Sequence, residues 1–392
     1  MRKPSAKSFA KKRIGRIGAI AVLPLPLLLP MILLLLLCSC SPAAKEAPVP
    51  PPAFLVGTTG AASGTFYENR LRVVEAADGQ MVKVELGSDS FSAANIAKSI
   101  IEAGCDGFTI MPVNEAVLPQ IVEMCEEAGV YWAIFMRPLH DEEVRQIVES
   151  SPFFAGRVQE NDEDAAYEIV RQLGLDGKKE IALIMPRITD PVGEARARGL
   201  YRAADEFGVK VVAEVNNAST AEDIHNVVSD IIVAHPGLDA VFRVGSTVRN
   251  CTRAAIRAIE ASGRAITFAA IDLDDITEDD FDNGIVAVAA GGHKELDHVL
   301  STGILANAIN GTPLSPDGPA SVTINYLMIR SAQDLRKYNE ACARNGGVLF
   351  SQDSARRMLL KKYNDALTLA DYESIASSYT LDNLDVLKIW NP

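Results

Sequence analysis

Short apolar runs alternate with amphipathic stretches along the chain from residue 54 onward. Nine runs read as buried strands, at residues 54–58, 82–86, 107–112, 131–136, 181–185, 210–215, 240–244, 266–271 and 285–289. Between them, apolar positions recur every three or four residues, as in helices with one buried face; the clearest are residues 93–103, 115–128, 164–173, 193–207, 221–234 and 249–261. Apolar strands separated by helices indicate parallel sheets covered on both faces. The pattern predicts an α/β fold.

The residues at the ends of these helices agree with the periodicity. Ser92 and Asp162 are suited to N-cap positions, and Gly129, Gly208 and Gly263 stand where helices should stop. In open parallel sheets, ligands bind beyond the carboxyl ends of the strands. The residues that follow each strand are therefore the ones to examine for function.

A basic segment and a long apolar run precede this body. Residues 1–16 carry seven Lys or Arg and no acid, residues 20–37 are apolar, and Leu37-Cys38-Ser39-Cys40 follows. This order predicts a lipoprotein signal peptide at residues 1–39, with Cys40 as the lipidated N-terminus of the mature chain. The alternative is an uncleaved anchor helix, which the prolines within the apolar run disfavour.

Residues 40–53 are rich in Pro and Ala, a composition that favours an extended, semi-rigid tether. The remaining chain of about 340 residues is long enough for two domains. Loss of seven of the 38 Lys and Arg with the signal peptide leaves 31 against 51 Asp and Glu, a net charge of −20. An acidic body argues against nucleic acid or anionic lipid surfaces as partners.

Four cysteines remain in the body, Cys105, Cys125, Cys251 and Cys342, without the spacing of a metal site. A disulfide between Cys105 and Cys125 is possible in an exported protein. Both lie in apolar helical contexts, however, so buried free thiols are the favoured interpretation.

The usual motifs of catalysis and cofactor binding are missing from the sequence. The glycine-rich loop at residues 57–64 has the spacing of neither a dinucleotide-binding loop nor a P-loop, and no GxSxG elbow occurs. No two histidines are four apart, and the acidic run at residues 272–282 lacks the glycine and glutamate of a calcium loop. We therefore expect no cofactor, no metal and no catalysis.

Four stretches, taken in order, resemble the type I periplasmic binding proteins, the ribose- and galactose-binding group that serves ABC transporters. They are residues 105–112 continuing to 128–137, residues 194–199 with Arg-Ala-Arg-Gly, residues 234–242 with His-Pro-Gly-Leu-Asp-Ala-Val-Phe, and Ile271-Asp272. The resemblance runs from about residue 54 to 330. It implies two Rossmann-like lobes with parallel sheets, joined by a hinge of three crossovers and closing on a ligand.

The resemblance also implies where the lobes begin and end. Lobe 1 is expected at residues 54–176 and 291–320, and lobe 2 at residues 177–290 and 321–334, with crossovers near residues 174–179, 291–294 and 320–323. Residues 335–392 are not explained by the family. They are expected to pack as helices on a lobe, or to form a docking surface for a partner.

Several residues match ligand-binding positions of the family. Phe66 and Tyr67 match the aromatic pair that packs on sugar rings, Arg137 and Arg196 the ligand arginines, Glu160 and Asn161 an Asp-Asn pair, and Asp272 the acceptor of ligand hydroxyls. A guanidinium offers a rigid fork to neighbouring hydroxyls or a carboxylate, which suits both arginines to this role.

Other positions depart from the family. Gly245 and Ser246 occupy the place of an Asn-Asp pair, and Gly292 and His293 stand where a ligand glutamine is expected. A buried site that hydrogen-bonds a group strongly rejects ligands lacking that group. We therefore expect a changed ligand specificity. Either the ligand is larger or less hydroxylated than a simple hexose, or a shift of register lets His293 or Arg249 supply the missing polar group.

The resemblance implies a monomeric extracytoplasmic lipoprotein that captures a sugar or similar small polar ligand and delivers it to an ABC transporter permease. Its partners would be the ligand, the permease and the membrane, through the lipid anchor. One alternative is a tethered sensor that signals to a membrane kinase or chemoreceptor. An exported α/β enzyme is less well supported, because no nucleophile and base pair is evident.

Overall fold

Two six-stranded sheets, each flanked by helices, form the core of the molecule. The computed structural model describes residues 53–59, 64–86, 92–186, 191–216, 218–245 and 248–392. In these ranges, no helix is long and apolar enough to cross a membrane. The predicted signal peptide at residues 1–39, Cys40 and residues 41–52 of the predicted tether lie outside the described residues.

The first sheet has the order β11-β5-β4-β3-β1-β2, and all its strand pairs are parallel. Its strands are β1 (Leu55–Thr58), β2 (Gln80–Lys83), β3 (Gly107–Ile110), β4 (Tyr131–Ile134), β5 (Phe154–Glu160) and β11 (Ala320–Ile324). The second sheet has the order β12-β10-β9-β8-β6-β7, with only β12 antiparallel among its described strands. Its strands are β6 (Glu180–Ile184), β7 (Lys210–Val215), β8 (Ala240–Arg243), β9 (Thr267–Ile271), β10 (Val286–Gly291) and β12 (Leu327–Ile329).

Fourteen α-helices lie in the described residues. Those of the two lobes are α1 (Thr65–Ala76), α2 (Ala93–Glu102), α3 (Leu118–Ala128), α4 (Glu142–Ser150), α5 (Asp162–Leu175), α6 (Pro191–Phe207), α7 (Ala221–Ala234), α8 (Cys251–Ser262), α9 (Glu278–Asp282) and α10 (Lys294–Ile309). The C-terminal extension, residues 331–392, adds α11 (Ala332–Ala343), α12 (Gln352–Leu359), α13 (Leu369–Ser378) and α14 (Val386–Trp390). The expected α/β class with two lobes is confirmed.

The chain passes between the two sheets three times. The first crossover lies at residues 160–162, because β5 belongs to sheet 1 whereas α5 packs on α6 and on strands of sheet 2. The second lies at residues 291–294, between β10 and α10, and the third at residues 324–327, between β11 and β12. The expectations of a first crossover near residues 174–179 and a third near 320–323 were wrong, so α5 belongs to lobe 2 and β11 to lobe 1.

The misplaced first crossover has a physical reason. Strand β5 pairs with β4 and β11, and its residues alternate strictly between buried and half-buried positions. Its sequence, Phe-Ala-Gly-Arg-Val-Gln-Glu, is therefore not a continuous apolar run and was not recognised as a strand. Without β5, the sequence pattern lacks the strand that precedes the first crossover and predicts this crossover one helix too late.

Local expectations about helix ends and thiols are largely met. The Ser92 hydroxyl accepts the Asn95 N–H at the start of α2, and Gly129 and Gly263 end their helices in the left-handed conformation. Asn161, not Asp162, occupies the N-cap position of α5. Cys105 and Cys125 are buried free thiols, and burial raises the pKa of Cys125 to about 12, which makes it a poor nucleophile.

The C-terminal extension packs against lobe 1 through two buried asparagines. The Asn69 side chain donates to the Gly347 carbonyl (2.8 Å) and accepts the Leu349 N–H (2.9 Å). The Asn307 amide similarly donates to the Leu359 carbonyl (2.7 Å) and accepts the Lys361 N–H (2.8 Å). A buried main chain needs such partners, so the extension is part of the folded body.

Candidate functional site

A cluster of polar side chains lies where the carboxyl ends of strands from both lobes meet. We call it the polar cluster; it comprises Arg137, Glu160, Asp162, Arg196, Arg243, Asp272, His293, Lys294, Asp297 and Tyr326. Most of these side chains are buried, and Asp272 and Lys294 are partly exposed. Parallel strands bring their carboxyl ends to one edge of a sheet, which explains why residues so distant in sequence meet here.

Arg196 of helix α6 holds the centre of the cluster. Its Nε donates to Asp162 Oδ1 (2.7 Å), Nη1 to the Val244 carbonyl (2.8 Å) and Nη2 to the Tyr326 hydroxyl (2.8 Å). The Tyr326 hydroxyl donates in turn to Asp162 Oδ1 (2.7 Å). Asp162 lies in the first crossover and Tyr326 in the third, so Arg196 links two crossovers to lobe 2.

Glu160 and His293 bring the first and second crossovers together. Glu160 Oε1 lies 3.2 Å from His293 Nε2, and the His293 ring lies 4.0 Å from the Tyr326 ring. Burial raises the pKa of Glu160 well above its ordinary value, and Asp162 and Asp297 add to this effect. Burial also lowers the pKa of His293 to about 3. The pair is therefore a neutral imidazole beside a carboxyl group that favours its protonated form.

Asp272 follows β9 and is surrounded by cations. Its Oδ1 lies 2.8 Å from Lys294 Nζ, and its Oδ2 lies 3.9 Å from Arg243 Nη2. Burial opposes its ionisation, but Lys294 and the other cations outweigh burial and hold the pKa of Asp272 below its ordinary value. Its φ of 75° is unusual for a residue other than glycine. Such backbone strain often occurs at functional sites.

Lobe 1 contributes a second strained strand end. Met136, after β4, has a φ of 56°, and its N–H donates to Asp297 Oδ2 of helix α10 (3.0 Å). Arg137 Nη1 donates to the Met136 carbonyl (2.7 Å). Burial raises the pKa of Asp297 well above its ordinary value, although this hydrogen bond and Arg137 oppose the shift.

An aromatic group lies beside the cluster on lobe 1. The His298 ring packs between Phe66 and Phe135, with ring centroids 5.1 and 4.6 Å away. Burial lowers the pKa of His298 to about 3, and the nearby Arg70 adds to the shift. Phe66 is 41% exposed and is thus available to a ligand.

Five buried carboxylate oxygens of the cluster accept no hydrogen bond from the described residues, and three of these five also have no ion-pair contact. Glu160 Oε2, Asp162 Oδ2 and Asp297 Oδ1 accept no hydrogen bond from any residue that the structure describes. Buried polar atoms are almost always paired, so such exceptions require an explanation. A bound molecule with several hydroxyl donors would satisfy all three.

Residues 63–292 match the model of the periplasmic binding protein domain. The chain belongs to this family. The resemblance seen in the sequence is confirmed, and the two-lobed architecture agrees with it. A search of curated proteins found no match.

Solved structures of similar fold come from several bacteria. An ABC transporter solute-binding protein from Bacillus halodurans with bound myo-inositol is 16% identical with a TM-score of 0.59, covering 74% of this chain and 98% of that one. A 5-methylthioribose transporter solute-binding protein from Thermotoga lettingae, solved with that ligand, is 16% identical with a TM-score of 0.60, covering 83% and 98%. A protein from Actinobacillus succinogenes with bound D-allose is 15% identical with a TM-score of 0.59, covering 71% and 98%.

In this periplasmic binding protein domain, most of the residues expected to bind ligand lie in or beside the polar cluster. Arg137, Glu160, Arg196, Asp272 and His293 belong to it, and Phe66 lies beside it. Tyr67 is half-buried and packs against the hydrophobic core.

The remaining expected residues shape the backbone around the cluster. Asn161 Nδ2 donates to Asn325 Oδ1 (3.2 Å), which links the first and third crossovers. Gly245 leaves space for Arg196, since a Cβ there would lie 3.0 Å from Arg196 Nη1. Gly292 has a φ of 72° beside Leu327 and Tyr338. Ser246 lies outside the described residues.

Sequence reasoning missed Asp162, Arg243, Lys294, Asp297 and Tyr326. Lys294 and Asp297 occupy the first turn of the helix that follows β10, so reading the residues after each strand would have found them. Tyr326 stands between β11 and β12, in a stretch that reads as one apolar strand. Its bond to Asp162 spans 164 residues and has no local signature.

The His298→Gln variant should tolerate acid better than the wild type. His298 stays neutral in the folded chain, whereas the unfolded chain takes up a proton as the pH falls below about 6.5. Wild-type stability is therefore lost as the pH falls from 6.5 towards 3, by up to about 1.4 kcal/mol per pH unit for this group. Urea unfolding at pH 7 and 5.5 measures the difference; parallel losses in the two proteins would contradict it.

Proposed function

We propose that this chain is an extracytoplasmic solute-binding protein that captures a sugar or a related polyol between its two lobes. The three unpaired carboxylate oxygens of the polar cluster carry the proposal, because a polyhydroxylated ligand supplies the donors that they lack. Similar solved structures hold myo-inositol and D-allose. Phe66, half-exposed beside the cluster, offers an aromatic face to the C–H side of a sugar ring.

Delivery to an ABC transporter permease is part of the proposal and rests on the family. The role is binding rather than catalysis, because the polar cluster combines arginines and carboxylates with a neutral histidine and holds no activated nucleophile. Ligand capture would follow from hinge motion at the three crossovers.

A thermal-shift screen of the purified chain against sugars, polyols, nucleosides and amino acids tests the proposal. A ligand that binds only the folded state raises the melting temperature, and the rise grows with the logarithm of the ratio of ligand concentration to Kd once that ratio exceeds one. We expect shifts with sugars or polyols and none with amino acids. The proposal is wrong if only amino acids or nucleosides produce a shift, or if no compound does.

For a sugar or polyol found by the screen, Arg137→Ala should weaken binding by about 1.5 to 3 kcal/mol, the range for a hydrogen bond to a charged group. Glu160→Gln should weaken it by about 0.5 to 1.5 kcal/mol, the range for a neutral hydrogen bond, because the Glu160 carboxyl favours its protonated form. Isothermal titration calorimetry measures the affinities. Arg145→Ala is the matched control, because Arg145 forms an exposed ion pair with Glu142 on helix α4. Wild-type affinity in both cluster variants would show that the ligand binds elsewhere.

We also propose that Cys40 carries a lipid that anchors the protein, with residues 41–53 as the tether. The support is the order of a basic segment, an apolar run and Leu-Cys-Ser-Cys, together with an extracytoplasmic family. Metabolic labelling with radioactive palmitate should label the wild type in the membrane fraction. The Cys40→Ser variant should carry no label; equal labelling of both proteins would refute the anchor.

A further inference from the structure

The C-terminal extension touches both lobes. Helix α11 packs on α9 of lobe 2, where Arg336 Nε lies 3.0 Å from Glu278 Oε2. Helix α12 then packs on α1 and α10 of lobe 1, and α13 packs on β11. The 3-10 turn Leu381–Asn383 returns to lobe 2 and contacts β12. The extension therefore bridges the two bodies that the hinge separates.

The two attachments differ in kind. On lobe 1, the side chains of Asn69 and Asn307 bind the main chain of the extension in buried contacts. On lobe 2, the ion pair between Arg336 and Glu278 is largely exposed. Exposed ion pairs contribute little, whereas buried hydrogen bonds are costly to break. The extension follows strand β12 of lobe 2 directly along the chain, and buried hydrogen bonds fix its later part to lobe 1.

The extension also contacts the second crossover directly. A Cβ at Gly292 would lie 2.9 Å from Tyr338 Cε2 and 2.8 Å from Leu327 Cδ1, so the crossover is confined between helix α11 and strand β12. Glu295, in the first turn of α10, interacts electrostatically with Tyr338 and Cys342, and burial raises the pKa of Glu295. Gly292 directly precedes His293, which belongs to the polar cluster.

We propose that the C-terminal extension is a hinge brace. It restricts the angle between the lobes and so controls how readily the polar cluster opens. Opening moves lobe 2 relative to lobe 1, and an extension attached to both lobes must then lose or rearrange contacts on one side. Tyr338 acts here as a positioning residue through Gly292. The proposal concerns motion and does not depend on which ligand is bound.

Hydrogen exchange followed by mass spectrometry tests the brace without any ligand. The Asn161 N–H donates to the Ile324 carbonyl (2.9 Å) and so extends the pairing of β5 with β11 to the point where the first and third crossovers leave the sheet of lobe 1. We expect this N–H to exchange faster when the crossovers loosen. In Tyr338→Ala, we expect peptides containing residues 159–163 to exchange about tenfold faster. Peptides from the core strand β8 should keep their wild-type rates.

Tyr363→Ala is the matched control. Tyr363 also belongs to the extension, but its hydroxyl bonds to Asp78 of lobe 1 only, 2.5 Å away. This variant should leave exchange at residues 159–163 unchanged. Equal acceleration in both tyrosine variants, acceleration of β8 together with the crossovers, or no acceleration in Tyr338→Ala would each overturn the brace.

Two substitutions of exposed residues test the brace in case Tyr338→Ala unfolds the protein. Arg336→Ala removes only the ion pair between the extension and lobe 2, and we expect exchange at residues 159–163 to quicken about twofold to fivefold. Lys388→Ala removes an exposed pair with Asp385 inside the extension and should have no effect there. Identical exchange in these two variants would count against the brace.

Discussion

The Arg196→Met variant is expected to unfold with a free energy about 3 to 5 kcal/mol below that of the wild type. Arg196 is buried and donates to Asp162, to Tyr326 and to the Val244 carbonyl. Its removal leaves the buried Asp162 carboxylate with the Tyr326 hydroxyl as its one remaining donor among the described residues. Removing one partner of a buried ion pair is far more costly than removing both.

Urea unfolding followed by circular dichroism measures this loss. Arg202→Met is the control, because Arg202 lies on the same helix and forms an exposed ion pair with Glu163; its effect should stay below about 1 kcal/mol. The double variant Asp162→Asn with Arg196→Met should recover a large part of the loss, since no unpaired buried charge remains. Equal losses in Arg196→Met and Arg202→Met would contradict the structural role.

This arrangement changes how Arg196 is understood. A guanidinium has five N–H donors, and three of those of Arg196 are used within the protein. A ligand can therefore engage only the remaining hydrogens on Nη1 and Nη2. Arg196 therefore links two crossovers to lobe 2, and the ligand role that the sequence resemblance implies would be limited to these hydrogens.

The fold class could be predicted because its signals are local. Strands such as β3, β4 and β8 are buried along most of their length and read as apolar runs. Strand β5 could not be recognised in this way, since only every second residue is buried. One of its partners, β11, comes from a distant part of the chain, and that pairing is a property of the whole fold.

The candidate site likewise contains features that could be predicted from local sequence and features that could not. The family resemblance identified Glu160, Arg137 and Asp272 from the sequence. Arg137 and Asp272 also follow predicted strands, where the rule for parallel sheets expects ligand-binding residues. The contacts between cluster residues could not be predicted from local sequence, because the partners are far apart in the chain. Lys294 lies 22 residues from Asp272, and Tyr326 lies 164 residues from Asp162. The attachment of the extension is equally nonlocal, since Asn69 and Leu349 are 280 residues apart.

The Gly199→Ala variant should lose about 3 kcal/mol of unfolding free energy, although alanine is the better helix former by about 1 kcal/mol. Gly199 lies on α6 where this helix meets α5, and a Cβ there would lie 1.8 Å from the Glu163 carbonyl oxygen. That oxygen belongs to the main chain of α5, so the two helices must separate. The glycine of the Arg-Ala-Arg-Gly motif is thus explained by helix packing.

Thermal and urea unfolding of Gly199→Ala beside Arg198→Ala would measure the effect of this close approach. Arg198 is the neighbouring residue on α6 and its side chain is half-exposed, so its replacement should change stability by no more than about 0.5 kcal/mol. Separation of the two helices in Gly199→Ala should also disturb the polar cluster, because Asp162 lies on α5 and Arg196 lies on α6. Wild-type stability in Gly199→Ala would mean that α5 and α6 can move apart freely, and the link between motif and packing would then be wrong.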